Sequence, residues 1–185
     1  MRTQAPSAAP ASPPAHASAP YAAKGRARGF SIPVLREARQ KARSCGPPGW
    51  TLQYVGIPFQ SHGRDRSGCD CYGLVRLVLG EQFGVAVPSY AGDYPDALEC
   101  AEVAALISRC LFPAVPGEGS LWYAVAKPGP ATVILLRIAG EPWHVGVVVV
   151  ERWFLHVRPG TDSCLERYDS IRWRRRIAGF YRYAG

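Results

Sequence analysis

The stretch Asp70-Cys71-Tyr72-Gly73-Leu74-Val75-Arg76-Leu77-Val78-Leu79-Gly80-Glu81-Gln82-Phe83-Gly84 decides the fold. Cys71, Leu74, Val75, Val78 and Leu79 recur at intervals of three and four, the period of a single helix face, and Gly84 marks a stop. A helix from Asp70 or Cys71 to about Phe83 is therefore predicted. Asp70 suits its N-cap, because a short carboxylate accepts from the unpaired N–H groups of the first turn. A second helix, of weaker periodicity, is expected from Asp96 to about Arg109, with Pro95 at its start and Leu98, Ala101 and Ala105 on one side.

Beyond Pro113 the pattern changes to that of strands. Thr132 to Ile138 and His144 to Val150 are rich in Val, Ile and Leu, Trp153 to Val157 follows closely, and Ala178 to Tyr183 can close a sheet. Helices first and closely spaced strands last predict an α+β domain, with helices covering one face of an antiparallel sheet. In the hairpin after His144 the expected register sets Gly146 opposite Phe154, with an odd loop or a bulge near Val149 to Glu151. That register brings His144 and His156 to one face, the face that meets the start of the Cys71 helix.

The 185 residues suffice for one domain with a real core. Residues 1–29 form an Ala/Pro/Ser-rich tail with little apolar area to bury, expected to stay extended, and 30–185 are read as the domain, with a short helix from Val34 to Ser44. The net charge of +8 is modest once Arg2, Lys24, Arg26 and Arg28 of the tail are set aside, so charge alone selects no partner. No apolar run approaches the ~20 residues of a membrane span. Prolines break the apolar run that a secretory signal would need, so manufacture in the cytoplasm without such a signal is expected. Six cysteines are too few for a disulfide scaffold at this length, and reduced thiols are expected.

Chemistry centres on Cys71. At a helix N-terminus, unpaired N–H groups and the helix dipole can lower a thiol pKa from about 8.5 to roughly 3.5–7.5, while an adjacent Asp70 opposes the shift. His144 and His156, twelve residues apart in strand-like sequence, can supply a base and a group that orients it.

Around these residues the chain resembles the NlpC family of papain-like cysteine peptidases, which cut the stem peptides of bacterial cell wall. Tyr54-Val55-Gly56-Ile57-Pro58-Phe59, then Gly63-Arg64, then Asp70-Cys71-Tyr72-Gly73-Leu74-Val75, then His144-Val145-Gly146-Val147 follow the family's order of motifs, and His156 falls where it places its third polar residue. The resemblance implies a papain-like core, Cys71 as nucleophile, His144 as general base and acid, and His156 as orienting group. It also implies Tyr54 and Tyr72 as substrate contacts near the thiol. The implied reaction is hydrolysis of the γ-D-glutamyl-diaminopimelate amide through a thioester, with no cofactor and no metal. Tyr72 in place of the Ser common after the nucleophile is similar to versions in phage tails, prophages and gene transfer agents. A phage-like tail, with its tail proteins as partners, is the context so implied.

The same residues admit three other readings. A metal centre from Cys69, Cys71, His144, His156 and His62 has poor ligand spacing, since Cys-x-Cys is not a zinc knuckle. The fold can also serve as a non-catalytic tail protein, or pass its thioester to another acceptor as an acyltransferase or amidase. Arg172-Trp173-Arg174-Arg175-Arg176 invites nucleic acid, but so short a run reads better as solvated surface or a contact to an acidic partner.

Overall fold

A computed structural model describes residues 46–98, 100–111 and 121–185. The expected tail over 1–29 and the helix expected from Val34 to Ser44 lie outside the described residues. The elements belong to the compact unit from Gln40 to Gly185.

After a 3₁₀ turn at Gly49–Tyr54 come two short paired strands, β1 (Arg64–Asp65) and β2 (Gly68–Cys69). The helices are α1 (Cys71–Phe83) and α2 (Cys100–Leu111). Six further strands complete the fold: β3 (Trp122–Ala124), β4 (Thr132–Ile138), β5 (Glu141–Val150), β6 (Trp153–Arg158), β7 (Thr161–Arg167) and β8 (Ile177–Tyr183). They form one antiparallel sheet in the order β3-β8-β4-β5-β6-β7. The α+β architecture read from the sequence is the observed one.

Helix α1 begins and ends as its sequence dictates. The Asp70 carboxylate accepts from Gly73 N–H at 2.6 Å, and Gly84 closes the helix at φ 66°, a conformation cheap only for glycine. The buried face is Cys71, Leu74, Val75, Val78 and Leu79, as the periodicity requires. Helix α2 starts later than expected. Asp96 accepts from Leu98 N–H at 3.0 Å and from the Ser61 hydroxyl at 2.8 Å, so it closes a local turn instead of opening the helix. Its buried side is Val103, Leu106 and Ile107, whereas Leu98, Ala101 and Ala105 are exposed, which corrects the face read from the sequence.

The sheet is apolar on both faces. Val133, Leu135, Val145, Val147, Val149, Leu155 and Val157 pack with the buried side of α1 in the main core. Ile134, Leu136, Val148 and Phe154 point the other way and meet Trp173, which is fully buried. The basic run around Trp173 is therefore solvated only at Arg172 and Arg174 to Arg176. Its indole closes the second face of the sheet and cannot stack on a base.

The hairpin of β5 and β6 pairs Val148 with Phe154 and Val147 with Leu155, and Val149 is bulged. The bulge stands where expected, but the register is two residues away from the one that pairs Gly146 with Phe154. A shift of two preserves side-chain parity, so His144 and His156 still share a face.

Candidate active site

Cys71 is the first residue of α1 and is buried. A network around Asp70, itself only 1% exposed, fixes this helix end. One carboxylate oxygen accepts from Gly73 N–H, and the other accepts from Arg64 Nη1 at 2.8 Å, from His62 N–H at 3.1 Å and from the Tyr94 hydroxyl. Arg64 also donates to Gly63 O at 2.7 Å and, through Nη2, to the Tyr94 hydroxyl at 2.7 Å. Gly73 is required here because a Cβ would stand 2.0 Å from the Gly63 carbonyl oxygen. The sequence reading missed Arg64 and Tyr94 as positioning groups. Gly63-Arg64 was visible as a motif, but Tyr94 reaches Asp70 only through the tertiary fold.

Cys71 lines an apolar cavity together with Tyr72, Tyr90, Tyr94, Trp122, Val133 and Val145. Tyr72 is among the lining residues, and its hydroxyl donates to Pro88 O at 3.0 Å. Burial pushes the Cys71 thiol up to about 12, the neighbouring Asp70 charge adds to this, and backbone N–H groups and Arg64 only partly offset it. The lowered pKa that a helix N-terminus favours is overridden by desolvation. The resting thiol is protonated.

His144 and His156 are both buried, and His144 Nε2 lies 3.1 Å from His156 Nδ1. Burial holds His144 well below the usual imidazole range. Burial, then Arg158 and Arg172, bring His156 down to about 3. Both rings are neutral near neutrality. His156 Nε2 is 3.5 Å from Cys164 Sγ, and Trp173 packs on both rings.

The pair does not stand where the sequence reading put it. His144 is the cross-strand partner of Leu136, and its side chain leaves the sheet with Leu136 and Val148 toward Trp173. The alternate residues Val145, Val147 and Val149 are the ones that pack with α1 and Cys71. The reason is strand alternation: the valines carry the apolar surface that the helix must cover, so the imidazoles are turned to the other face. No hydrogen bond joins Cys71 to either ring, and among the described residues His144 Nδ1 is buried with no hydrogen-bond partner.

Tyr54 is also corrected. Its hydroxyl donates to Glu81 at 2.6 Å and accepts from Gln82 at 2.8 Å, near the end of α1, and Glu81 lies ten helical steps, about 15 Å, from Cys71. It serves the packing of the leading segment, which Ser163 ties to β7 through its hydroxyl bonds to Ile57 N–H and Tyr54 O. Among the described residues the metal set of Cys69, Cys71, His144, His156 and His62 does not come together either. Cys69 donates to Asp65 O at 2.9 Å, and His62 Nε2 contacts Tyr94 O at 3.1 Å.

A family model described as the NlpC/P60 family matches residues 56–182. Among solved structures, the chain is similar to the NlpC/p60 domain of the peptidoglycan hydrolase SagA, at 17% identity and TM-score 0.43, covering 71% of this chain and 90% of that one. It is similar to a lipoprotein-like NLP/P60 family protein from Staphylococcus aureus, at 14% identity and TM-score 0.44, covering 88% of this chain and 45% of that one. It is also similar to an NlpC/P60 family protein from Bacillus cereus, at 16% identity and TM-score 0.48, covering 76% of this chain and 42% of that one. The chain therefore spans most of the first structure and less than half of the other two. No curated protein matches it in sequence.

Proposed function

The chain belongs to the NlpC/P60 family, and from that membership we propose that it is a cysteine peptidase acting on the peptide stems of bacterial peptidoglycan. Cys71 is the nucleophile in this reading, His144 the base and His156 the group that orients it. The observation that carries the reading is Cys71 at the start of a rigidly capped helix, beside a cavity, in a chain that also holds a buried His–His hydrogen bond.

In the reaction the Cys71 sulfur attacks the scissile carbonyl and its proton passes to His144 Nδ1, the ring nitrogen that His156 leaves free. That proton then goes to the departing amine, and water hydrolyses the thioester with His144 again as base. The backbone N–H of Cys71 donates to the oxyanion in this reading, since Gly73 N–H is already committed to Asp70. In the resting fold His144 leaves the sheet on the face away from α1 and packs on Trp173, so this proton transfer requires a local rearrangement of β5 that turns the imidazole toward Cys71, and the reading assigns that rearrangement to substrate binding.

The bond we assign is the amide between the γ-carboxyl of D-glutamate and diaminopimelate, and the setting is a phage-like tail that opens the wall. Both rest on the sequence motifs and on Tyr72 after the nucleophile. A second reading, a tail protein that keeps the fold without turnover, is favoured by the missing Cys71–His144 bond. Incubating the protein with peptidoglycan fragments and identifying released peptides by mass spectrometry tests the assignment. The expected result is a new peptide amine and a new γ-carboxyl in wild type and neither in Cys71→Ala; intact fragments in both would favour the non-catalytic reading.

A further inference from the structure

On the sheet face away from α1, three side chains of different chemistry converge. His156 on β6 and Cys164 on β7 are direct cross-strand partners, so both leave the sheet on the same side, and Glu166 two residues on follows them. His156 Nε2 is 3.5 Å from Cys164 Sγ and 3.9 Å from Glu166 Oε2. One ligand atom from each of the three lies within 4.8 Å of the others. Tetrahedral coordination, with a metal to nitrogen distance of about 2.0 Å and metal to sulfur of about 2.3 Å, itself sets nitrogen and sulfur about 3.5 Å apart. The imidazole and thiol already have that spacing.

We propose that His156, Cys164 and Glu166 form a binding site for a zinc-class divalent cation, with a fourth position open to solvent. One thiolate and one carboxylate supply two negative charges toward a divalent cation, with Arg172 on the far oxygen of Glu166 and Arg158 near His156 as the opposing charges. The sulfur and imidazole donors select zinc or cobalt over magnesium or calcium, which require oxygen ligands.

The surroundings fit a ligating histidine. His156 Nδ1 is engaged by His144 Nε2, so the ring is oriented through its second nitrogen, as metal-bound imidazoles are. Glu166 is held in place by Arg172 Nη1 at 3.0 Å and by the Trp173 indole N–H. Cys164 and Glu166 are only half-buried on β7, an end strand of the sheet, which leaves a route for an ion from solvent.

Occupancy has a consequence for the neighbouring pair. An imidazole bound through Nε2 carries its proton on Nδ1 and donates it to His144 Nε2. Neutral His144 must then hold its own proton on Nδ1, the atom that the peptidase reading needs as base. The tautomer change conserves protons within the two rings, one taken up at His144 Nδ1 and one given up at His156 Nε2, while binding releases the Cys164 thiol proton. Metal binding is therefore inhibitory. This consequence rests on the peptidase reading, whereas the site does not.

The test is titration of the full chain with Co²⁺ and Zn²⁺. Expected are one cobalt per chain with a thiolate-to-cobalt charge-transfer band, retained in Cys71→Ala and lost in Cys164→Ser, and protection of Cys164 from iodoacetamide by one equivalent of Zn²⁺ in wild type. The protection experiment needs no variant and stands even if Cys164→Ser does not fold. Absence of both the band and the protection, or a band that depends on Cys71 instead, overturns the site. If peptide hydrolysis is present, Zn²⁺ should suppress it at least tenfold in wild type and not in Cys164→Ser. Metal binding in a protein that never hydrolyses peptide would refute the peptidase reading alone, and hydrolysis indifferent to a bound metal would refute the inhibition alone.

Discussion

His144 Nε2 lies 3.1 Å from His156 Nδ1, and the bond is sealed beneath the buried indole of Trp173. The arrangement fixes which nitrogen of His144 remains for chemistry. With Nε2 committed, only Nδ1 can take a proton from a nucleophile, and that atom is buried with no partner among the described residues. Replacing His156 with Ala should lower kcat by about 10²-fold with little change in KM, and His156→Gln should restore part of the loss by offering one hydrogen-bonding group to Nε2. Equal activity in wild type and both variants would remove His156 from the mechanism.

The pH dependence of stability follows from the same pair. His156 is brought down to about 3 in the fold, against an unfolded value near 6.5, so the unfolded chain binds more protons between those limits. Stability contributed by the neutral rings is fully present above about pH 6.5 and is lost as pH falls toward 3. Urea unfolding at pH 7 and pH 4 should show a loss of a few kcal/mol, and His156→Gln should reduce that loss. A profile that is flat in wild type over this range would contradict burial of the pair.

Cys71 titrates in the opposite direction. Its thiol, pushed up to about 12 by burial and by Asp70, stays protonated in the resting protein, so iodoacetamide at neutral pH should label the partly exposed Cys100 and Cys164 before Cys71. Peptide mapping of labelled protein decides the order. Cys71→Ala should nonetheless abolish hydrolysis, while Cys69→Ala, whose thiol bonds to Asp65 O, should retain it.

Asp70 is the structural centre of the helix start. Removing its charge strands the Arg64 guanidinium, which is only 15% exposed in its side chain, so Asp70→Ala should destabilise by about 3–5 kcal/mol. Asp70→Asn keeps the cap to Gly73 and should cost less. Denaturant midpoints for the two variants, and for Arg64→Met with Asp70→Asn combined, will show whether the loss is that of an ion pair: the double variant should be more stable than the sum of the single effects predicts.

Tyr54 sits at the other end of α1 from the thiol. Tyr54→Phe should leave kcat/KM within about twofold and reduce stability by about 1 kcal/mol through loss of its bonds to Glu81 and Gln82. A large loss of turnover with unchanged stability would return Tyr54 to the site.

Much of this was legible in the chain because it is local. The cap at Asp70, the buried stripe from Cys71 to Leu79, the stop at Gly84 and the Val-rich strands depend on residues a few positions apart, and backbone geometry converts such spacing directly into faces. The motif order was likewise enough to place the chain in its family. The sequence could not decide which face of the sheet would meet the helix. Both faces of β5 are apolar enough to bury, and only the packing of α1 on Val145, Val147 and Val149 sends His144 the other way. Nor could it show that Trp173, within a basic run, is a core residue, that Tyr94 reaches Asp70 from 24 positions away, or that Cys164 stands opposite His156. Those relationships join distant segments, and they exist only once burial of the two apolar faces has fixed every strand in register.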